Sequence, residues 1–186
     1  VTPNSPSNDC MRKAKPVMRL LAVDLDGTLL HSNWELSDRN CRALKMAREQ
    51  GVEIAIVTGR RHTAAQGLVQ ALDFDYYLIT SAGARLSSNT TGLLVSRPWN
   101  GDLLAQFLTH VFRFLGATFL ITDAQGANEV LCQIPDVRDP HVARYLQLNE
   151  GSITRSSNLA VPSRDRVLQV VFMGRLNRMS EVADLI

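Results

Sequence analysis

The chain is poor in several things, and each shortage excludes something. It has three cysteines in 186 residues, Cys10, Cys41 and Cys132, far apart and in no CxxC or Cys/His spacing. An odd, scattered set argues against a disulfide framework or a zinc site and predicts a reducing, cytoplasmic setting. No apolar run approaches the length of a membrane span, so no membrane partner is expected. The short run from Val17 to Val23 leads straight into acidic residues and does not read as a signal-peptide core. Twenty basic residues nearly balance eighteen acidic ones, for a net charge of +2. Such a balance supplies no field for nucleic acid, and none is expected as a partner. Lysine is scarce too, occurring only at positions 13, 15 and 45.

What is present is a 45% hydrophobic composition, enough for a real core. Residues 1–17 are rich in Pro, Ser, Asn and charge and predict a disordered leader. From there strands and helices alternate. Leu20–Val23 is a short apolar run ending in Asp24, as suits a strand buried on both faces. Ser37 is placed to cap a helix reaching about Gln50, with Gly51 at its end. Val52–Val57 predicts a strand ending at Thr58-Gly59, Thr63–Leu72 a helix, and Tyr76–Thr80 a strand ending at Ser81. This order predicts a parallel α/β sheet. Ligands of such sheets bind beyond the carboxyl ends of the strands. Asp24, Thr58 and Ser81 are therefore expected to meet in space.

After Gly83 the pattern changes to hairpins mixed with helices. Strands are predicted at Arg85–Ser88, Leu93–Ser96, Ala117–Thr122, Glu129–Ile134 and Val167–Phe172, and helices at Asp102–Leu115, His141–Leu148 and Met179–Ile186. The boundaries expected are a core unit over 18–82 and an α+β unit over 83–186.

The stretch AVDLDGTLL, Ala22 to Leu30, carries the chemistry. Just past a strand end, residues two apart can face the same side, so Asp24 and Asp26 can converge while Leu25 turns into the core. One carboxylate can attack phosphorus, the other can move a proton, and the pair can hold Mg²⁺. Gly27 lets the backbone turn sharply. A DxD pair alone is common in loops, but a buried strand running into it penalises idle carboxylates.

DLDGTLL resembles the first motif of the haloacid dehalogenase superfamily. IVTGR (Ile56–Arg60) resembles its second motif, and ITSAGA (Ile79–Ala84) the segment opening the cap of its Cof-type subgroup. The resemblance implies a Rossmann-like core, here partial, with an inserted α+β cap. It also implies a Mg²⁺-dependent phosphatase acting on a small phosphorylated metabolite such as a sugar phosphate. Asp24 would be nucleophile and metal ligand. Asp26 would be general acid/base and second metal ligand, through its main-chain carbonyl. Thr58, helped by Leu25, Gly59 and main-chain N–H groups nearby, would bind phosphate. Arg60 and Arg61 could meet an anionic substrate or simply begin a solvated helix, and His31 and Trp34 could belong to a flap or to a plain polar loop. His62, His110 and His141 lack ligand spacing and predict core or surface roles. Trp99 is expected to anchor a hairpin, and Arg155, Arg164 and Arg166 give a basic late loop.

The sequence departs from the family at two points. Ala82 stands where the family usually has Asn. The family's later Lys and acidic metal ligands follow the cap, and this sequence is still within the cap at Ile186. The expectation is a truncated product. Its alternative function is binding of phosphate ligands or a partner without catalysis. Oligomeric state is not legible.

Overall fold

The computed structural model describes residues 18–111, 117–124, 129–133, 139–156 and 166–174. The predicted leader, the helix at 179–186 and Arg164 lie outside them.

The first sheet has the spatial order β1 (Leu20–Asp24), β2 (Glu53–Val57), β3 (Tyr77–Thr80), β4 (Arg85–Ser88), β5 (Gly92–Ser96). The β1–β2 and β2–β3 pairs are parallel, and the last two pairs are antiparallel. Two helices join the parallel strands, α1 (Asp38–Glu49) and α2 (His62–Val69). Ser37 caps α1 as expected: its hydroxyl accepts from Asn40 N at 3.1 Å. Asn40 also donates its side-chain amide to Leu29 O at 2.9 Å, pinning the first turn of α1 to the loop after the acidic motif. Gly51 takes a left-handed φ of 83° and turns the chain into β2.

β1 is not buried on both faces as expected: as the edge strand it alternates, with Leu20 and Ala22 exposed and Leu21 and Val23 turned to the core, whereas β2, inside the sheet, buries Ile54, Ala55 and Ile56 in succession. Leu21 and Val23 of β1, Ile54 and Ile56 of β2, and Leu78 of β3 pack with Leu44, Val69 and Leu72. Each fully buried aliphatic side chain contributes about 1.5–3 kcal/mol of transfer free energy. The register Ala22↔Ala55 and Asp24↔Val57 puts the two strand ends level.

One expectation is corrected here. The sequence places the hairpin at 85–96 in the second unit, but it pairs with β3 and continues the first sheet. An unpaired β3 would present a row of free N–H and C=O groups, and a hairpin folding straight back covers them locally. Asn89 fixes the register: its Oδ1 accepts from Tyr76 N at 2.9 Å and its Nδ2 donates to Phe74 O at 3.0 Å. Sheet membership therefore changes after Ser96 rather than at Gly83.

The second sheet has the order β8 (Ile153–Arg155), β7 (Val130–Gln133), β6 (Ala117–Thr122), β9 (Val167–Met173). Two helices accompany it, α3 (Gly101–Val111) and α4 (Pro140–Leu148). All six residues of β6 are buried, because the strand is sandwiched. Phe119 and Ile121 pack with Val142 and Leu146 of α4, whereas Leu120 packs with Leu104 and Leu108 of α3. Asp139 caps α4, its Oδ1 accepting from His141 N at 2.8 Å. The short β8, parallel to β7, is absent from the sequence reading. Trp99 does not anchor the hairpin. Its ring stacks on Phe107 at 5.6 Å and its main-chain N–H donates to Val167 O at 2.7 Å, so it ties the connection into α3 and β9.

Candidate active site

The paired aspartates stand at the mouth of the first sheet. Asp24 ends β1 and is exposed, Leu25 is fully buried, and Asp26 is exposed again. Gly27 follows at φ 72°, and Leu30 N closes the turn on Leu25 O at 2.9 Å. A Cβ at Gly27 would meet no atom within 4 Å, so the backbone angle, not space, favours glycine.

Thr58 ends the next strand and is buried. Its hydroxyl lies 3.4 Å from Asp26 Oδ2 and accepts from Arg60 N at 3.2 Å. Its own N–H donates to Ile79 O at 2.9 Å, tying the loop to β3. Ser81 N donates to Arg60 O at 2.8 Å. The three strand ends therefore meet as the sequence predicts. Gly59 sits between Thr58 and Arg60 on the same loop.

Arg60 grips Asp26. Its Nε lies 3.0 and 2.9 Å from the two carboxylate oxygens, and its Nη2 donates to Oδ1 at 2.7 Å. These bonds hold the Asp26 carboxyl below its ordinary range against the opposing effect of burial, with smaller help from the Arg60 charge and the Thr58 hydroxyl. The Trp34 ring lies beneath the Arg60 guanidinium, 4.6 Å from centroid to carbon. Trp34 reaches it from a left-handed φ of 64°. The loop after the first motif therefore contacts the site through Trp34 on Arg60 on Asp26.

Arg61 is not free to meet a substrate. It pairs with Glu129 of the second unit and donates to Asn149 Oδ1 at 3.0 Å. Glu129 is 1% exposed, and its other oxygen accepts from Thr63 N at 3.0 Å in the first turn of α2. A carboxylate of the second unit thus caps a helix of the first. Sequence reasoning missed Glu129 and Asn149. Only an acidic residue opening an otherwise apolar strand marked Glu129. Arg166 likewise leaves the expected basic loop to pair with Asp123, at 2.6 Å.

Mg²⁺ takes one or two carboxylates and completes its shell with phosphate and water. The Asp24 carboxylate, at the exposed strand end, fits that role. The Asp26 carboxylate is engaged by Arg60, which leaves its main-chain carbonyl as the group for a metal. Among the described residues no cluster of three or more His, Cys, Asp or Glu side chains could hold an ion. No helix among them is long and apolar enough to cross a membrane.

Parallel strands feeding paired aspartates and a strand-end threonine, with a separate α+β unit beside them, define a class of α/β hydrolytic fold. The chain belongs to the haloacid dehalogenase-like hydrolases, whose family profile matches residues 21–185, and within them to the Cof type. It is 34% identical to the 5-amino-6-(5-phospho-D-ribitylamino)uracil phosphatase YcsE of Bacillus subtilis, over 77% of this chain and 70% of that protein. It is 39% identical to an HMP-PP phosphatase of Shigella flexneri over 38% of this chain and 26% of that one. A solved phosphatase of the same superfamily from Bacteroides thetaiotaomicron superposes with a TM-score of 0.72 at 19% identity, covering 96% of this chain and 64% of that one. A Thermotoga maritima structure gives 0.71 at 15% identity, with 90% and 61% covered. The chain thus spans less than two thirds of these solved relatives and, of the HMP-PP phosphatase, about a quarter.

Proposed function

We propose that the strand ends form a Mg²⁺-dependent phosphatase site for small, sugar-phosphate-like phosphomonoesters, working through an aspartyl-phosphate. The observation that carries this reading is the convergence of Thr58 and Arg60 on Asp26, at 2.7–3.4 Å, two residues past the exposed Asp24 at the same strand end. The names of the relatives, phosphatases of small phosphorylated metabolites, support the substrate class. The cysteine content supports a cytoplasmic setting.

A carboxylate oxygen of Asp24 forms a bond to phosphorus as the bond to the leaving alcohol oxygen breaks. Asp26, released from Arg60 as the substrate's oxygens take up the guanidinium and entering this step protonated, gives that oxygen its proton. Water then attacks phosphorus and passes its proton to the Asp26 carboxylate, which frees inorganic phosphate and restores Asp24. The Thr58 hydroxyl and the N–H groups of Leu25, Asp26 and Gly59 bind the non-reacting oxygens. Arg60 is placed to exchange Asp26 for the substrate's own anionic oxygens. Mg²⁺, when bound by Asp24, supplies neutralisation of phosphate charge. The second unit faces this chemistry as the substrate-selecting cap.

A second reading, phosphate binding without turnover, has one observation in its favour. Lys45, the one lysine among the described residues, is paired with Asp73 at 2.5 Å and is not at the strand ends. Both readings are tested by Mg²⁺-dependent hydrolysis of p-nitrophenyl phosphate alongside phosphate titration. Turnover that falls about 10²-fold or more in Asp24→Asn is expected. Equal rates from the two proteins overturn the catalytic role of Asp24. Phosphate binding that weakens in Thr58→Ala, with no turnover in the parent, identifies the second reading.

A further inference from the structure

A cleft lined by α2, β3 and the β4–β5 hairpin includes neither Asp24, Asp26 nor Thr58. Its volume is about 170 Å³, and Leu78, Tyr76 and Ser87 contribute to its lining. His62, Arg85 and Gln66 also line it, and Leu93 stands at its exposed rim. Two of these groups are buried and under-used. Arg85 is 3% exposed and His62 is 8% exposed. Arg85 Nε and His62 Nδ1 have no hydrogen-bond partner among the described residues. The guanidinium offers five N–H donors, yet its one hydrogen bond given by the structure runs from Nη1 to the main-chain oxygen of Asp123, at 3.1 Å.

The charges of Asp123 and Glu129 favour the Arg85 cation against its burial, but the hydrogen-bonding oxygens of both carboxylates are engaged elsewhere. Glu129 is taken by Arg61 and Thr63 N. Asp123 is taken by Arg166, with Ser96 Oγ at 3.4 Å from its other oxygen. Three guanidinium groups therefore share two carboxylates at this junction. Burying a charge is costly unless it is paired and hydrogen-bonded, and Arg85 makes no hydrogen bond to a carboxylate among those the structure gives. The floor hydroxyls are also weakly engaged: Ser87 Oγ to Leu78 O and Tyr76 OH to Val69 O are both 3.4 Å. The cleft is smaller than the ~300 Å³ lower bound of drug-sized pockets, which limits it to a small ligand.

We propose that this cleft is a binding site for a small oxyanion, the carboxylate or phosphate group of a metabolite, held by Arg85 and His62 and separate from Asp24 and Thr58. The cleft adds to the phosphatase reading and does not depend on it. Its occupant would complete the charge balance where the two sheets meet.

The test is NMR titration of the full chain with inorganic phosphate and, separately, acetate, following the His62 imidazole, with chloride at matched ionic strength as control. A saturable His62 response is expected. Phosphate alone would mark a phosphorylated ligand, and acetate a carboxylate. The response should persist in Thr58→Ala and weaken at least tenfold in Arg85→Gln. Leu93→Trp, a change at the exposed rim that leaves the core untouched, should abolish it, and Gln66→Glu should weaken it by repulsion. No saturable response to either anion, or one that Leu93→Trp leaves intact, overturns the proposal. Loss of phosphatase activity with the His62 response intact overturns only the function proposed above.

Discussion

Truncating Glu129 should be among the most damaging single changes in this chain. The carboxylate is 1% exposed and the Arg61 side chain beside it 11% exposed, so water can replace neither partner. Glu129→Ala strands the Arg61 charge and leaves Thr63 N without its acceptor. Removing one partner of a buried pair costs about 3–5 kcal/mol, mostly as desolvation of the survivor. An exposed pair would be worth about 1 kcal/mol or less. The expected loss of about 3–5 kcal/mol is therefore distinguishable from a surface effect. Urea unfolding reads it, and two tryptophans help: Trp34 beside the first sheet and Trp99 against the second report each unit. The Arg61→Ala/Glu129→Ala double variant should be less destabilised than the two single losses added together, because no charge is stranded. Hydrogen exchange at the Thr63 amide should accelerate in Glu129→Ala and stay slow in Glu129→Gln, which keeps an acceptor. A loss below about 1 kcal/mol, or strictly additive single losses, would refute the buried-pair reasoning.

Two further changes test the same geometry. Burial first, and the Arg85 charge second, lower the His62 pKa from its ordinary 6.5, while Glu129 opposes. The unfolded state then binds the proton more readily than the folded one. Stability should be full above pH 6.5 and decline as pH falls from there toward the lowered folded value. Melting temperatures across that interval should fall more in the parent than in His62→Gln, and parallel curves would contradict it. Ala82 sits at φ 54° and ψ 35° and is exposed, so its left-handed backbone is strained without any packing in return. Ala82→Gly should raise stability by about 0.5–1 kcal/mol, the relief of strain exceeding the added unfolded-state entropy. A lower melting temperature would argue against that strain.

The Ala82 backbone also gives a physical reason for a sequence departure. Asn is the non-glycine residue that best tolerates a left-handed conformation. The family's usual Asn before Gly83 therefore suits the dihedral found here, whatever its side chain does for a substrate. Ala82 meets the same backbone demand with less tolerance. The sequence showed the missing amide but not the angle, because dihedrals are set by how Ser81 and Gly83 close the turn onto Arg60.

Local signals were legible where the cause was local. The cap at Ser37, the strand ends at Asp24 and Val57, and the inward turn of Leu25 all follow from residues within a few positions of one another. The meeting of the strand ends at Asp24, Thr58 and Ser81 followed from a general rule about parallel sheets, because level strand ends need no side-chain detail. What stayed hidden was pairing over long sequence separations. Arg60 and Arg61 are adjacent and chemically identical, yet one clasps Asp26 and the other is buried against Glu129. Nothing in Gly-Arg-Arg-His distinguishes them. The helix start does: α2 begins at His62, which turns Arg61, its N-cap, toward the second unit and leaves Arg60 on the strand-end loop. The place of the hairpin at 85–96 is hidden for a related reason. Alternation in Arg85-Leu86-Ser87-Ser88 shows that a strand exists but not which edge it pairs with. That choice was made by β3, whose open side needed a partner. Seating the hairpin there carried Arg85 beneath α2, where three arginines meet two carboxylates. The excess charge at that junction is thus a product of topology, and no reading of the local sequence could have placed it.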